Sequence, residues 1–299
     1  MKFSITGISI GGEEGKFDID SVLGLIKAAF DDCGIKINAK NCRDVGIFLG
    51  TTFSNSNIRK SNTENYRRGG VRVVSPTDFP KCLISYLGGN LSRAFNLKGA
   101  NSTSSSGASS GLDALTQAAY FVKRSKKNKA VIVELDEKIS EDLNCSLRGS
   151  ACLVIENNSS AKSPHSYGDI LGIESFFERD GENKGLISAL QMVLKKYTSK
   201  MGDVDYIFGL SMPKTEEYNL KVEAIRSFTD PERFISLPFN LQKRDTSSGV
   251  SLVANVLKKA DFGSCHSKKF ITMLFILLGK NANSSCVAIK IHRKRRVIL

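Results

Sequence analysis

The sequence is poor in the features that tie a chain to a metal, a membrane or a nucleic acid. It has only three histidines and no Cys-x-x-Cys pair. Structural zinc needs clustered sulfur and imidazole ligands, whereas Cys265 and His266 are the sole Cys/His neighbours, and His165 and His292 stand alone. No metal and no cofactor are therefore expected. The seven cysteines (Cys33, Cys42, Cys82, Cys145, Cys152, Cys265, Cys286) are odd in number and scattered through mostly apolar segments. Such cysteines read as free thiols of a reducing compartment. The longest apolar run, residues 270–278, falls far short of the ~18 residues that cross a bilayer, so no membrane span is expected. The opening stretch MKFSITGISIGGEEGK reaches acidic residues too early for a secretory signal. A cytoplasmic location follows as the expectation.

What is present describes a globular chain. Its 299 residues suffice to bury about 75% of the unfolded surface without staples, and 41% hydrophobic with 24% charged residues is ordinary composition. The formal charge is +13, concentrated in local runs at 123–129 and 292–296. Such a field attracts polyanions. With neither an RNP-type aromatic motif nor a helix-turn-helix pattern, nucleic acid is not expected, and an acidic protein is the better partner.

Strand-like and helix-like periodicities alternate along the whole chain with no Pro/Ser linker between them, which argues for layered α/β packing. Strands are predicted at residues 3–10, 45–51, 130–135, 150–156, 170–177, 206–210, 234–237, 270–278 and 285–292, plus a serine-rich strand near 100–106. Helices are predicted at 21–33, 77–95, 109–124, 186–197, 217–228 and 247–260, and residues 53–72 read as a polar loop. The last two strands form a hairpin. Each half then has the order β-α-β-α-β-α-β-β, residues 1–156 and 157–299, within one compact unit.

The most informative stretch is Ser105-Ser-Gly-Ala-Ser-Ser-Gly-Leu-Asp-Ala114. It has the form of a strand-to-helix turn, where a helix dipole and unpaired N–H groups stabilise a thiolate or a developing oxyanion. One reading is a nucleophile elbow, Gly107-Ala-Ser-Ser-Gly111, with Ser109 as the nucleophile of a serine hydrolase. Against it, the preceding strand is polar, no HGGG-type oxyanion segment lies upstream, and no histidine follows the last core strand in a triad position.

The second reading covers nearly the whole chain. Val74-Ser-Pro-Thr-Asp-Phe-Pro80 precedes Ser105 to Ala114, with VGIFLGTT upstream and AVIVELDE downstream. In this order the segments resemble the ketosynthase branch of the thiolase-like superfamily, whose V-S-P-x-x-F-P and S-x-G-C-A-S-G-L-D-A motifs flank the acylated cysteine. The resemblance implies an α/β thiolase-like fold of two β-α-β-α-β-α-β-β halves in an α-β-α-β-α layered architecture. It puts Ala108 on the cysteine. It also puts Ser211, in Ser211-Met-Pro-Lys-Thr-Glu216, near the first catalytic histidine, and places Asn240 and Asp245 on the lysine and second histidine of K-S-x-x-G-H. All three catalytic functions are then missing together.

A ketosynthase-like chain without them resembles a chain length factor, the partner of a catalytically active, cysteine-bearing ketosynthase in a type II polyketide synthase. The short stretch between the first strand and first helix suggests the aryl polyene type. The resemblance implies a heterodimer in which Ala100, Asn101, Ser102, Thr103, Ser104, Ser105 and Ser106 pair across a two-fold axis. It makes Phe79 the candidate that gates the acyl tunnel, with Asn62 and Tyr66 behind it, and an acidic acyl carrier protein the second partner. A thiolase-fold homodimer with a binding role is the remaining alternative.

Overall fold

The computed structural model describes residues 3–11, 19–51, 56–135, 150–157, 166–177, 187–188, 190–193, 204–211, 234–236, 249–259, 270–278 and 283–292. The first strand, β1 (Phe3–Ile10), leads into helix α1 (Ile19–Cys33) and then β2 (Val45–Gly50). Helix α2 (Ser56–Gly69), two 3-10 turns (Gly70–Val73 and Phe79–Cys82) and α3 (Ser85–Ala94) come before β3 (Asn101–Ser104). A third 3-10 turn, Gly107–Ser109, opens α4 (Ser110–Arg124), followed by β4 (Lys129–Leu135) and β5 (Ser150–Asn157). The second half contributes β6 (Gly168–Phe177), β7 (Tyr206–Ser211), β8 (Phe234–Ser236), α5 (Gly249–Lys259), β9 (Phe270–Leu278) and β10 (Asn283–His292).

The hydrogen-bonded order is β3-β2-β4-β5-β1-β6-β10-β9-β7-β8, which reads the same from either end once the first five strands are matched to the last five. In each set the fifth strand is antiparallel to its neighbours, and β2, β3 and β4 are parallel, as are β7, β8 and β9. The two sets join where β1 meets β6 antiparallel, Phe3 opposite Ile170. β9 and β10 pair as the expected hairpin, while the turn between them lies outside the described residues.

Strand alternation divides the core in two. Ile47, Leu49, Val131, Val133, Cys152 and Val154 face α1 and α3 through Val22, Ile26 and Leu91. Phe48, Ile132, Leu153 and Ile155 face the other way, onto Leu112 and Leu115 of α4 and Val250 and Val253 of α5. Met273, Phe275, Val287 and Ile289 of β9 and β10 belong to that second cluster, so α4 and α5 form a layer shared by both halves. This is the mixed α/β layering expected from the sequence. Helix α1 is also pinned to the seam: Asp32 accepts the Ile8 N–H at 2.8 Å and the Tyr167 hydroxyl at 3.0 Å, joining β1 to the start of β6.

Two predicted segments differ. Residues 53–72 contain helix α2, because SNIRKSNTENYRRG has no apolar period to reveal it. Among its described side chains only Asn62 is buried. The single helix expected over 77–95 is split. Pro80 cannot donate within a helix and clashes with the preceding turn, and Leu83 at φ −74°, ψ 133° is extended, so α3 starts only at Ser85. The predicted helix at 217–228 lies outside the described residues, as does half of that at 186–197, whose described residues 187–188 and 190–193 are helical. No helix among the described residues is long and apolar enough to cross a membrane.

Burial pushes the Cys33 thiol up to about 11 and the Cys286 thiol up to about 12, and raises Cys152 and Tyr167 as well. Each of these groups is neutral when protonated. Above the ordinary thiol value of about 8.5, the unfolded chain releases protons that the folded chain keeps, so stability falls as pH rises. We expect urea midpoints that hold below pH ~8 and decline through pH ~9 to ~11. Cys33→Ala should make that decline shallower.

Candidate functional site

The site is built where a polar edge strand turns into the buried helix α4. β3 is the end strand of its half and, among the described residues, pairs only with β2, which explains why its residues are polar rather than apolar. The Ala100 and Ser104 carbonyls accept from Ile47 and Thr51 N–H at 2.8 and 3.0 Å. In a parallel ladder alternate residues bond the same neighbour, so the backbone groups of Asn101 and Thr103 point to the open edge. Asn101 donates to Ser92 Oγ at 2.9 Å, and Gln117 of α4 spans Ser102 and Ser104. Ala100 and Ser105 are exposed, and Ser106 is half-buried.

The turn that follows needs Gly107, whose φ of +76° lies in the left-handed region. Ala108 is the second residue of that turn, two positions before α4 begins. Ser110 ties the turn down, accepting from Ser106 N–H at 2.9 Å and donating to the Gly107 carbonyl. Helix α4 sits unusually close to β2: a Cβ at Gly50 would lie 2.6 Å from Gly111 Cα. A Cβ at Gly111 would lie 1.8 Å from Glu134 Oε1. Glu134, 1% exposed on β4, accepts the Ser251 N–H of α5 at 2.8 Å. Its carboxylate thus lies where the N-termini of α4 and α5 converge, a favourable place for negative charge.

A second carboxylate, Asp113 in the first turn of α4, gathers the serines. Ser106 Oγ and Ser109 Oγ donate to its Oδ2, and Ser175 of β6 donates to Oδ1 at 3.0 Å. Ser175 also shares a 3.0 Å contact with Ser285 of β10. The turn 107–109 touches β9 and β10 directly. Ser211, at the end of β7, is paired with Leu278 at the end of β9, so the sheet brings it to the same end of the molecule. Asn240 and Asp245 lie outside the described residues.

Ser109 does not have the surroundings of an elbow nucleophile, which stands exposed above its sheet. It is 1% exposed, and its hydroxyl donates to the Ser106 carbonyl at 3.2 Å. His292 ends β10 seven residues beyond Ser285, about 23 Å along the strand. The other two histidines lie outside the described residues. Of the gating candidates, Phe79 and Tyr66 are exposed, at 59% and 56%, whereas Asn62 is buried and its amide donates to Cys82 Sγ at 3.1 Å. Glu134, Gln117 and Ser175 were not singled out from the sequence. A glutamate inside the buried run AVIVEL was the one available signal.

Residues 20–153 match the family described as beta-ketoacyl synthase, N-terminal domain. The 3-oxoacyl-[acyl-carrier-protein] synthase 2 of Vibrio harveyi is 27% identical over 170 residues, 56% of this chain and 39% of that protein. Its namesake from Vibrio cholerae serotype O1 is 26% identical over 123 residues, 41% of this chain and 30% of that one. Neither match reaches half the relative's length. The ishigamide ketosynthase/chain length factor superposes with a TM-score of 0.76 at 16% identity, covering 98% of this chain and 100% of that chain. A type II polyketide synthase ketosynthase, solved in complex with its acyl-carrier protein and bound to the hexaketide, gives 0.73 at 14%, covering 97% and 99%. The ketosynthase from module 6 of the Bacillus subtilis bacillaene synthase gives 0.69 at 13%, covering 98% and 72%. At these identities the likeness is one of fold.

Overpacking the α4 seat tests its geometry. We expect Gly111→Ala to destabilise the chain by about 1–3 kcal/mol in urea unfolding. Glu134→Ala on that background should recover part of the loss, with a coupling of ~1 kcal/mol in the double-mutant cycle.

Proposed function

This chain has the thiolase-like ketosynthase fold, with the β-ketoacyl synthase N-terminal domain over residues 20–153, and on that premise we propose that it is a non-catalytic chain length factor. It pairs with a cysteine-bearing β-ketoacyl-ACP synthase and shapes the acyl tunnel of that partner during polyketide synthesis, in an aryl polyene system. One observation carries the reading: on a ketosynthase fold, the turn that opens α4 holds alanine as its second residue. Condensation on this fold needs a thiol to take up the acyl chain, and a methyl group has no lone pair with which to attack a thioester. With Ser211, Asn240 and Asp245 read at the histidine, lysine and histidine positions, nothing remains to polarise the thioester carbonyl or to assist decarboxylation.

The other residues support pairing rather than chemistry. The outward backbone groups of Asn101 and Thr103 offer a short edge to a second sheet, and the small side chains of Ala100 and of the hydroxylic run Ser102 to Ser106 allow close approach. Phe79 and Tyr66, exposed in the single chain, are the side chains available to enter a neighbour's tunnel; Phe79 is the principal gate. The two halves, 1–156 and 157–299, act as one unit. A charge of +13 suits a cytoplasmic protein that works beside an acidic acyl carrier protein.

The test is co-expression with a cysteine-bearing ketosynthase, native mass spectrometry, and product analysis with carrier protein and malonyl substrate. We expect a one-to-one complex. Thr103→Pro removes one outward N–H without touching the β2 ladder, and should weaken the complex by an order of magnitude or more while the circular dichroism spectrum stays unchanged. Phe79→Ala should keep the complex and lengthen the product. A chain that stays free of every such ketosynthase, or a complex whose product length ignores residue 79, would overturn the reading.

A further inference from the structure

The segment between β2 and β3 has an unusual surface. Among the described residues, five of the eight exposed large apolar side chains fall within it: Tyr66, Val71, Val73, Phe79 and Leu83. Isolated exposed apolar residues need no explanation, but a cluster marks an interaction surface. The pieces are joined. Asn62 of α2 bonds Cys82 in the second turn, that turn packs on α3, and Gly88 of α3 lies against Asn101 and Thr103 of the open edge strand. The segment that carries these side chains is therefore linked through α3 to the edge that the chain-length-factor reading pairs with a partner.

Its charge is one-sided. Residues 56–83 hold six cations (Arg59, Lys60, Arg67, Arg68, Arg72, Lys81) against two carboxylates, Glu64 and Asp78. Asp78 is already engaged by Lys81 at 2.6 Å. Helix α2 lacks a buried apolar face of its own and carries Arg67 and Arg68 in its last turn. That placement suits the helix dipole, but it does not account for the apolar side chains beside it.

Symmetry makes the charge consequential. A closed two-fold interface sets the same patch of both copies against each other. Two copies of this chain would bring cations to cations around an apolar centre, while a partner with carboxylates there would gain in both affinity and encounter rate. We propose that the surface from Tyr66 to Leu83, with Arg67, Arg68 and Arg72, selects the partner: it accepts the carboxylate-rich, apolar-centred face of a ketosynthase subunit and rejects a second copy of this chain. The inference rests on the pairing described above.

The experiment has two arms. In the first, the wild-type chain, its Arg67→Glu/Arg68→Glu/Arg72→Glu variant and an equimolar mixture are compared by sedimentation at about 50 mM and about 500 mM salt, where screening lengths differ severalfold. The wild type should self-associate several-fold more tightly at high salt. The mixture should form mixed dimers beyond the statistical share at low salt only. In the second arm, the co-expressed ketosynthase complex should weaken about tenfold in the triple variant. A control with the same charge change outside the patch, Lys27→Glu/Lys36→Glu/Lys40→Glu, should leave it intact. Equal weakening by both variants, or wild-type self-association indifferent to salt with statistical mixing, would overturn the inference. If no ketosynthase binds at all, the functional reading fails, and the first arm alone decides the surface.

Discussion

The contact between α4 and the strand beneath it sets most of what this molecule can do. Gly50 and Gly111 bring helix and strand together with backbone against backbone, and Glu134 fills the remaining space while accepting the first-turn N–H of α5. Two helix N-termini would otherwise meet with like partial charges in a dry interior. With the carboxylate between them, α4 becomes a helix that packs on both halves of the sheet, and the turn that precedes it is held near strands of the second half.

Around this seat the turn is fixed by side chains from both halves. Gly107 takes the left-handed conformation, Ser110 locks the turn, and Asp113 ties Ser106 and Ser109 to Ser175 of the second half. The residue between Gly107 and Ser109 in this turn is Ala108. A scaffold so arranged still has a use if its value lies in its surfaces. The open edge of β3 and the apolar, cationic segment before it are such surfaces, and both precede the α4 turn in the chain.

Legibility in the sequence followed burial. Strands β2, β4, β5 and β9 were readable because central strands form largely apolar runs, β1 because its apolar residues are interspersed with small polar ones, and α1 and α4 because their apolar faces repeat at helical spacing. Helix α2 was not, since the interior of the chain gives it no apolar pattern; its side chains answer to solvent or to a neighbour. The break at Pro80 was written in the residue itself and outweighed by the periodicity around it. Within the site, Ala108 and the turn glycines came from a motif, whereas Glu134 and Ser175 join through pairings that no linear spacing encodes. The hydroxylic run Ser102-Thr-Ser-Ser-Ser106 looked wrong for a core strand and is explained by the position of β3 at the edge of the sheet.

The most direct measurement asks which subunit carries the growing chain. Radiolabelled acyl groups, presented on carrier protein to the co-purified complex, should after denaturing electrophoresis appear, of the two subunits, only on the cysteine-bearing ketosynthase and never on this chain. Label retained on this chain, stable to denaturation and released by hydroxylamine, would contradict the account and make it an acyl-carrying enzyme in its own right.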